Sequence, residues 1–569
     1  MSPALIAVLP FLGALLPGLM VRSGRSPAAI ACAAITAVAL LGLLLHIPTV
    51  LAGEVVTTRL PWMPQIGLNA DFMLDGLGLL FGILILGIGL LIILYACFYL
   101  SEKDAAGPFF TYLMLFQGAM TGIVLTDNIL MLLVFWELTS LSSFLLIGFW
   151  KHLPEGRQGA RMALTVTALG GLAMIAGCLM LGQVAGSYRL SEIIAQREAI
   201  QGSDLYLPAL LLILLGAFTK SAQFPFHFWL PRAMAAPTPV SAYLHSATMV
   251  KAGIFLMARL WPVLSGTPEW FGIVATAGLV TMLVGAVIAL FQDDLKGLLA
   301  YSTVSHLGLI TMLLGFGTEA AATAAMFHIT AHASFKAALF MGAGIIDHGT
   351  HTRSIRQLGG LRSLMPLTFG LILVASLSMA GIPPFNGFLS KEMMLEQAAA
   401  QAGHGMGWAI GALATLAALA SVAYSLRLVA HVFLGPARDD YPHAPHDQAP
   451  ASGQDRRCWW GWSWSRGCSR TRRWAGWSPP RAAPSRRPRS TPISRCGTAS
   501  PRRWRCRCWP SGAASCCCGA GTGRTGCATA CPGPTPSGSS TRSSAPSPAS
   551  RAASPTASPT GPCRGRWRC

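Results

Sequence analysis

Lysine, glutamate and histidine recur in this chain within apolar runs, where a titratable side chain is costly. A charge at the middle of a bilayer costs about 2.5–3.5 kcal/mol on insertion scales. Glu137 lies in Leu132–Leu138, ten residues past Asp127. A carboxylate so placed is protonated or paired with a buried cation; a static helix-to-helix salt bridge is the plainer alternative. Lys220 closes the run Leu214–Thr219 and is followed by Pro225 and Pro231. A lysine held in hydrocarbon exchanges its proton more readily than one in water, although long lysines also snorkel to the interface. His245 and Lys251 share the run 242–258. On a continuous helix their spacing of six sets them about 120° apart, facing two neighbouring half-channels.

His328, His332 and Lys336 fall at i, i+4 and i+8, one polar stripe on an otherwise apolar helix. Imidazole titrates near neutral pH, so the stripe suits a proton wire. Hydrogen-bonded packing is the alternative, and metal binding has no HExxH motif or nearby Cys behind it. His306 sits beside Ser302, Thr303 and Ser305, one helix earlier, and Lys391 follows the sequence Gly381–Gly387. Asp71 and Asp75 precede an apolar run and read as interfacial caps. The site is therefore a pathway of Glu137, Lys220, His245, Lys251, His306, His328, His332, Lys336 and Lys391 for protons or alkali cations. No phosphate-binding glycine loop, CxxC pair or bis-histidine haem layout is present. The sequence predicts no catalytic residue, no metal and no cofactor, and a protein that moves charge without making bonds.

Those residues are positioned by apolar stretches long enough to span a bilayer, which takes about 20 residues. The stretches are 3–21, 27–50, 74–100, 108–126, 128–150, 161–185, 207–229, 238–259, 271–291, 298–316, 321–346, 366–390 and 407–434. The expected fold is an all-α polytopic membrane protein of about 13–14 transmembrane helices. Proline frees a backbone carbonyl inside a membrane helix, so breaks are expected at Pro225 and at Pro383–Pro384. Two broken helices at matching places, each with a lysine, suggest an inverted repeat with one ion site per half.

Loop charge orients the chain. Connections after odd-numbered helices hold Arg22, Arg25, Lys103, Lys151, Arg157, Arg161, Arg232, Lys296, Arg353, Arg356, Arg362 and Arg438. Those after even-numbered helices hold Arg59, Arg189, Arg197 and Arg259. The excess puts the odd connections in the cytoplasm and the N-terminus outside. The N-terminal run has no cleavage pattern and reads as a first membrane helix.

Composition agrees and then changes abruptly. The 569 residues are 53% hydrophobic and 11% charged, a deficit of charge that points to the bilayer. The net charge of +20 lies wholly in 455–569, where 21 arginines face one aspartate. It is therefore not a signal for nucleic acid from the apolar part. That segment holds 12 of the 15 cysteines and lacks Leu, Val, Met, Phe and Tyr. It lacks a helical or strand period and the apolar surface needed to offset chain entropy. It reads as a disordered basic tail or, better, as GC-rich coding sequence translated out of frame, and no function is assigned to it. Cys32, Cys97 and Cys178 read as small hydrophobes.

The sequence Lys220–Ser221–Ala222–Gln223–Phe224–Pro225–Phe226–His227–Phe228–Trp229–Leu230–Pro231 resembles the signature of a known family. So do its continuation Ala233–Gly253 and the segments Asp75–Leu77, Phe135–Leu138, Ala300–His306 and Gly381–Phe388. The family is the antiporter-like subunits of respiratory complex I and of the multisubunit cation/proton antiporters, over roughly 1–435. Ala235–Ala236 and Lys251 look like the A subunit of the Mrp-type Na⁺/H⁺ antiporter. The resemblance implies 14 core helices with two inverted five-helix repeats. It divides the chain into N-terminal helices 1–105, a first repeat 106–260, a second repeat 261–435, a loop 436–454 and the tail 455–569. It implies that the match stops before a fourteenth helix.

The resemblance also implies a buried Glu137–Lys220 pair, a bridging His245 and Lys251, and second-half Lys336 and Lys391. The function expected is a secondary transporter subunit in a bacterial inner membrane. Its partners would be other small membrane subunits, membrane lipid, H⁺ and Na⁺ (or K⁺ or Li⁺), with no nucleic acid. In the mechanism expected, opening of the Glu137–Lys220 pair drives a proton from the lysine toward the histidines and the second-half lysines. A proton-translocating subunit of complex I or of a membrane-bound hydrogenase is the alternative, and a purely structural anchor a third.

Overall fold

Gly76–Tyr99 contains no charge and no proline, and in hydrocarbon its backbone has no partner but itself, so it is helical throughout. Asp75 fixes where it starts, with Oδ1 accepting from the Gly78 N–H at 2.8 Å. The same logic repeats along the chain. Asn128 caps the helix that carries Glu137 through the N–H groups of Leu130 and Met131, and Asp294 and Thr318 cap two later ones. Caps of this kind satisfy backbone donors that a helix end leaves open.

The computed structural model describes residues 1–20, 24–401, 407–436, 438, 441–443, 445 and 447. The tail 455–569, most of the loop 436–454 and Arg22 lie outside the described residues. The chain is an all-α polytopic membrane protein. Its helices are α1 (Pro3–Leu19), α2 (Arg25–Leu51), α3 (Gly76–Tyr99), α4 (Ala106–Leu125), α5 (Ile129–Ile147) and α6 (Pro154–Ala185). There follow α7 (Tyr206–Lys220), α8 (Thr238–Leu264), α9 (Pro268–Phe291), α10 (Leu295–Gly315), α11 (Glu319–Thr350) and α12 (Pro366–Ala380). Then come α13 (Asn386–Ala400) and α14 (Gly407–Leu434), with further short helices in the connections. Ten of these are long and apolar enough to cross a membrane, and α1, α7 and α12 are shorter apolar helices. Together they are the 13 stretches read from the sequence. Among the described residues the one sheet is a hairpin of β1 (Val56–Met63) and β2 (Leu68–Leu74), antiparallel and between α2 and α3.

Three of the helix interruptions lie at candidate site residues. After α7 ends at Lys220, short turns at Phe226–Phe228 and Trp229–Arg232 resume the path. The Trp229 indole N–H takes the open carbonyl of Thr219 at 2.9 Å. α12 stops at Ala380, Gly381 turns the chain with φ +81°, and α13 begins at Asn386. A Cβ at Gly381 would lie 2.7 Å from Lys391 Cδ. Gly381→Ala is therefore expected to lower stability by about 1–3 kcal/mol, the range for a non-glycine residue held at positive φ. Thermal unfolding in detergent measures this, and an unchanged midpoint would contradict it.

The third interruption corrects the sequence reading. α8 is two helices, Thr238–Ser246 and Met249–Leu264. At the join the Thr248 hydroxyl donates to the Tyr243 carbonyl at 2.8 Å, and Ala247 and Thr248 leave helical geometry. The 120° offset of His245 and Lys251 assumed one continuous helix, so it does not hold.

The ion pairs join connections of like helix parity. Arg189–Asp71 and Arg259–Asp75 join connections after even-numbered spans. Arg353–Asp294, Arg356–Asp293 and Lys296–Asp347 join connections after odd-numbered ones. Asp75 is the cap expected of it. Asp71 instead lies on β2, bound to Arg189 Nε at 3.1 Å.

Candidate functional site

Four buried lysines each reach a backbone carbonyl of another helix segment, and three of them a hydroxyl as well. Lys220, last residue of α7, is fully buried and crosses to α5. Its Nζ donates to the Trp136 carbonyl at 3.0 Å and to Ser140 Oγ at 2.8 Å. It also lies 4.8 Å from the centre of the Trp136 ring. Lys336 of α11 crosses to α10 in the same manner, donating to the Leu299 carbonyl at 3.1 Å and to Ser302 Oγ. In both cradles the receiving carbonyl also accepts two hydroxyls from the turn above it. Thr139 and Ser140 donate to Trp136, and Ser302 and Thr303 to Leu299. The ammonium thus shares each carbonyl with the hydroxyls and also donates to one of them, contacts that partly replace the water it has lost.

Lys391 of α13 donates to the Met379 and Ala380 carbonyls at 2.8 and 3.0 Å, the open end of α12, and to Ser421 Oγ of α14 at 2.8 Å. Lys251 donates to the Ile329 carbonyl of α11 at 3.0 Å. No described ion pair involves any of these four lysines.

Glu137 departs from the pairing that the resemblance implies. It makes no ion pair with Lys220 among the described residues: the lysine reaches the carbonyl next to it in the chain, Trp136, while the carboxylate faces α6. Glu137 Oε1 is buried without a hydrogen-bond partner, and a Cβ at Gly171 would overlap it. The reason is geometric. Glu137 follows Trp136 by one residue, so their side chains leave the helix about 100° apart, and Lys220 approaches on the Trp136 and Ser140 side.

The histidines gather around α11. His306 Nδ1 lies 2.9 Å from His328 Nε2, with the rings stacked 5.1 Å apart. His328 Nδ1 lies 2.9 Å from Ser390 Oγ, and the Tyr424 hydroxyl lies 3.3 Å from His306 Nε2. His332 stands beside this pair, 5.4 Å from the His306 ring, with neither nitrogen hydrogen-bonded. His245 is equally buried and unpartnered, against Phe340. The fold thus brings His306, His328 and His332 into one cluster, with Lys391 next in the chain to Ser390. It seats Lys336 against α10 and Lys220 against α5, each in its own cradle.

Ser140, Ser302, Ser390, Ser421 and Tyr424 were not picked out as site residues from the sequence. The Thr139–Ser140 and Ser302–Thr303 pairs, each three and four residues past the receiving carbonyl, were a usable signal. A tyrosine in an apolar helix such as α14 carries none.

Comparison with known proteins follows the same lines. The family profile described as NADH:quinone oxidoreductase/Mrp antiporter, TM, matches residues 126–418. That described as NADH-Ubiquinone oxidoreductase (complex I), chain 5 N-terminus, matches 62–110. A probable K(+)/H(+) antiporter A/B subunit of Rhizobium meliloti (strain 1021) is 55% identical over 401 residues, 70% of this chain and 40% of its own length. The A subunit of the Na(+)/H(+) antiporter of Alkalihalophilus pseudofirmus is 54% identical over 356 residues, 60% of this chain and 44% of its own length. A chain of the Mrp complex from Dietzia sp. DQ12-45-1b has a TM-score of 0.71 at 40% identity, covering 75% of this chain and 47% of that one. A chain of the archaeal membrane-bound sulfane sulfur reductase shares the fold, with a TM-score of 0.70 at 23% identity over 79% of this chain and 91% of that one. The chain spans less than half the length of the first three.

Proposed function

Because this chain belongs to the NADH:quinone oxidoreductase/Mrp antiporter membrane family, we propose that it is the proton-carrying subunit of a multisubunit antiporter exchanging H⁺ for a monovalent cation. The observation that carries the reading is the set of four buried lysines that form no described ion pair, each donating instead to a carbonyl of a helix segment other than its own. A fixed structural cation would be expected to keep a counter-ion, because a lone buried charge is very costly. A lysine that cycles between ammonium and amine needs acceptors that tolerate both states, and a carbonyl with a hydroxyl offers them. Ser and Thr hydroxyls accept from the ammonium and can turn to donate to the amine.

In this reading Glu137 receives or releases the proton at one end of the row. Lys220, His245, Lys251, His328, His332, His306, Lys336 and Lys391 carry it across. A switch is supported by Glu137 lying within electrostatic reach of Lys220 without forming an ion pair with it, in a position for which Gly171 leaves room. Residues 106–260 and 261–435 would form the two repeats, one lysine cradle in each. The finer assignments belong to the same proposal. The cation is Na⁺, K⁺ or Li⁺, the partners are other membrane subunits, the protein sits in a bacterial plasma membrane, and its N-terminus is outside.

Everted vesicles carrying the assembled complex test this. Addition of Na⁺, K⁺ or Li⁺ to vesicles with an imposed acid interior is expected to collapse the pH gradient. No response to any of the three would contradict the proposal. A smaller effect follows for the cradles. Ser140→Ala and Ser302→Ala each remove one acceptor of roughly 1 kcal/mol, so each should slow exchange about fivefold while the complex still assembles. Unchanged rates in both would remove the hydroxyls from the account.

A further inference from the structure

The hydrogen bonds through His306 and His328 have a direction. Ser390 Oγ is 3.1 Å from the Gly387 carbonyl, which can only accept, so the serine's single proton is engaged there. Toward His328 the same oxygen must then accept, and at 2.9 Å it takes the N–H of His328 Nδ1. His328 Nε2 is left as an acceptor for the N–H of His306 Nδ1 at 2.9 Å. His306 Nε2 is in turn an acceptor, and the group facing it is the Tyr424 hydroxyl at 3.3 Å. Each assignment follows from the one before, since the hydrogen bond at one ring nitrogen decides which nitrogen carries the proton. Packing holds the ring planes: His306 and His328 are stacked at 16°, and Phe335 lies 5.3 Å from His306.

We propose that Tyr424 is a positioning residue that holds His306 and His328 in their Nδ1–H tautomers, polarising the imidazole pair from α14 toward Ser390. The transport consequence rests on the proton-pathway reading above. An excess proton reaching His306 Nε2 forms the imidazolium. That ring passes its Nδ1 proton to His328 Nε2, and Ser390 Oγ takes the His328 Nδ1 proton while its own hydroxyl proton turns from the Gly387 carbonyl to a neutral Lys391 amine, which becomes the ammonium. One proton enters, one leaves, and both rings end as Nε2–H tautomers. The pair then accepts no second proton from the Tyr424 side until a proton returns from the other end or the rings reorient. Once the rings are back in their Nδ1–H tautomers, the Tyr424 O–H again donates to His306 Nε2 and holds them there.

Solid-state NMR of the assembled complex in lipid, with ¹³C,¹⁵N-labelled histidine, reads the tautomers directly. His306→Gln and His328→Gln assign the two signals by subtraction. Both rings are expected to show protonated Nδ1 and bare Nε2 in the unaltered protein at neutral pH. In Tyr424→Phe the Nδ1–H state of His306 should give way to a mixture, since a bare Nε2 facing phenylalanine has no donor. Ser390→Ala should loosen His328 from the other end. Nε2–H tautomers at both rings in the unaltered protein, or identical spectra in Tyr424→Phe, overturn the proposal. Exchange by Tyr424→Phe is expected to fall about five- to tenfold, the scale of one lost hydrogen bond. A moved tautomer with unchanged exchange upholds the role of Tyr424 in setting the tautomer and takes the two histidines off the proton path.

Discussion

Lys220→Ala is expected to cut cation-dependent proton exchange by roughly 10²-fold or more, the scale on which a positioned proton-transfer group acts. The substitution removes the ammonium that spans α7 and α5 and leaves the Trp136 carbonyl and Ser140 hydroxyl facing each other. No other described lysine touches that cradle, so no other group inherits its role. Lys220→Arg separates charge from titration. A guanidinium keeps the positive charge and can donate to the same two acceptors, yet it does not release its proton at any working pH. The arginine variant should therefore fail as completely as the alanine one, with the complex still intact by size exclusion. Recovery of exchange by Lys220→Arg would mean that Lys220 serves as a fixed charge.

The second large effect is on stability and lies at the membrane edge. Arg259 is 5% exposed and grips Asp75 through its two terminal guanidinium nitrogens, at 2.5 and 3.0 Å. Burial raises the Asp75 carboxyl, but the Arg259 hydrogen bonds and charge, with the Gly78 N–H, outweigh it and hold the group below its ordinary range. Breaking a buried pair by removing one partner costs about 3–5 kcal/mol. Because Asp75 is 25% exposed, Arg259→Ala should cost nearer 2–3 kcal/mol. The sign of the pH dependence follows. A carboxyl depressed in the folded state contributes its full stabilisation above its unfolded value of about 4, and loses it as pH falls through the lower folded value. The gap in thermal midpoint between Arg259→Ala and the unaltered protein should thus be constant above about pH 5 and close progressively below pH 4. A gap that stays constant down to pH 2 would contradict the pairing.

Much of the fold was legible because a bilayer leaves the backbone few choices. Thirteen apolar runs became the apolar helices, and Pro225 and Pro383–Pro384 marked two real breaks, since proline cannot complete a helical ladder. The break inside α8 was not legible. It depends on one Thr248 hydroxyl competing for the Tyr243 carbonyl, and threonine is common in unbroken membrane helices. The β1–β2 hairpin was missed because Val56–Leu74 is only partly apolar and lies between two strong spans.

The residues proposed for the pathway were found by one signal, a titratable side chain where none is cheap. What surrounds each of them was not, because hydroxyls and carbonyls are everywhere in the sequence and become a site only when a neighbouring helix brings a lysine to them. The sequence suggests a Glu137–Lys220 contact pair, whereas the lysine reaches the carbonyl one residue away, that of Trp136. Tyr424 and Ser390 become visible only through the direction of the hydrogen bonds that they terminate.

Replacing Lys336 with methionine in the assembled complex tests most directly whether protons step along this row. Lys336 is fully buried near the middle of α11, away from both ends of its helix, so its loss does not act through entry or exit. Its methionine analogue keeps the volume and removes the titration. With assembly retained, cation-driven collapse of the pH gradient should vanish in everted vesicles. Exchange at the unaltered rate would show that the protons travel elsewhere.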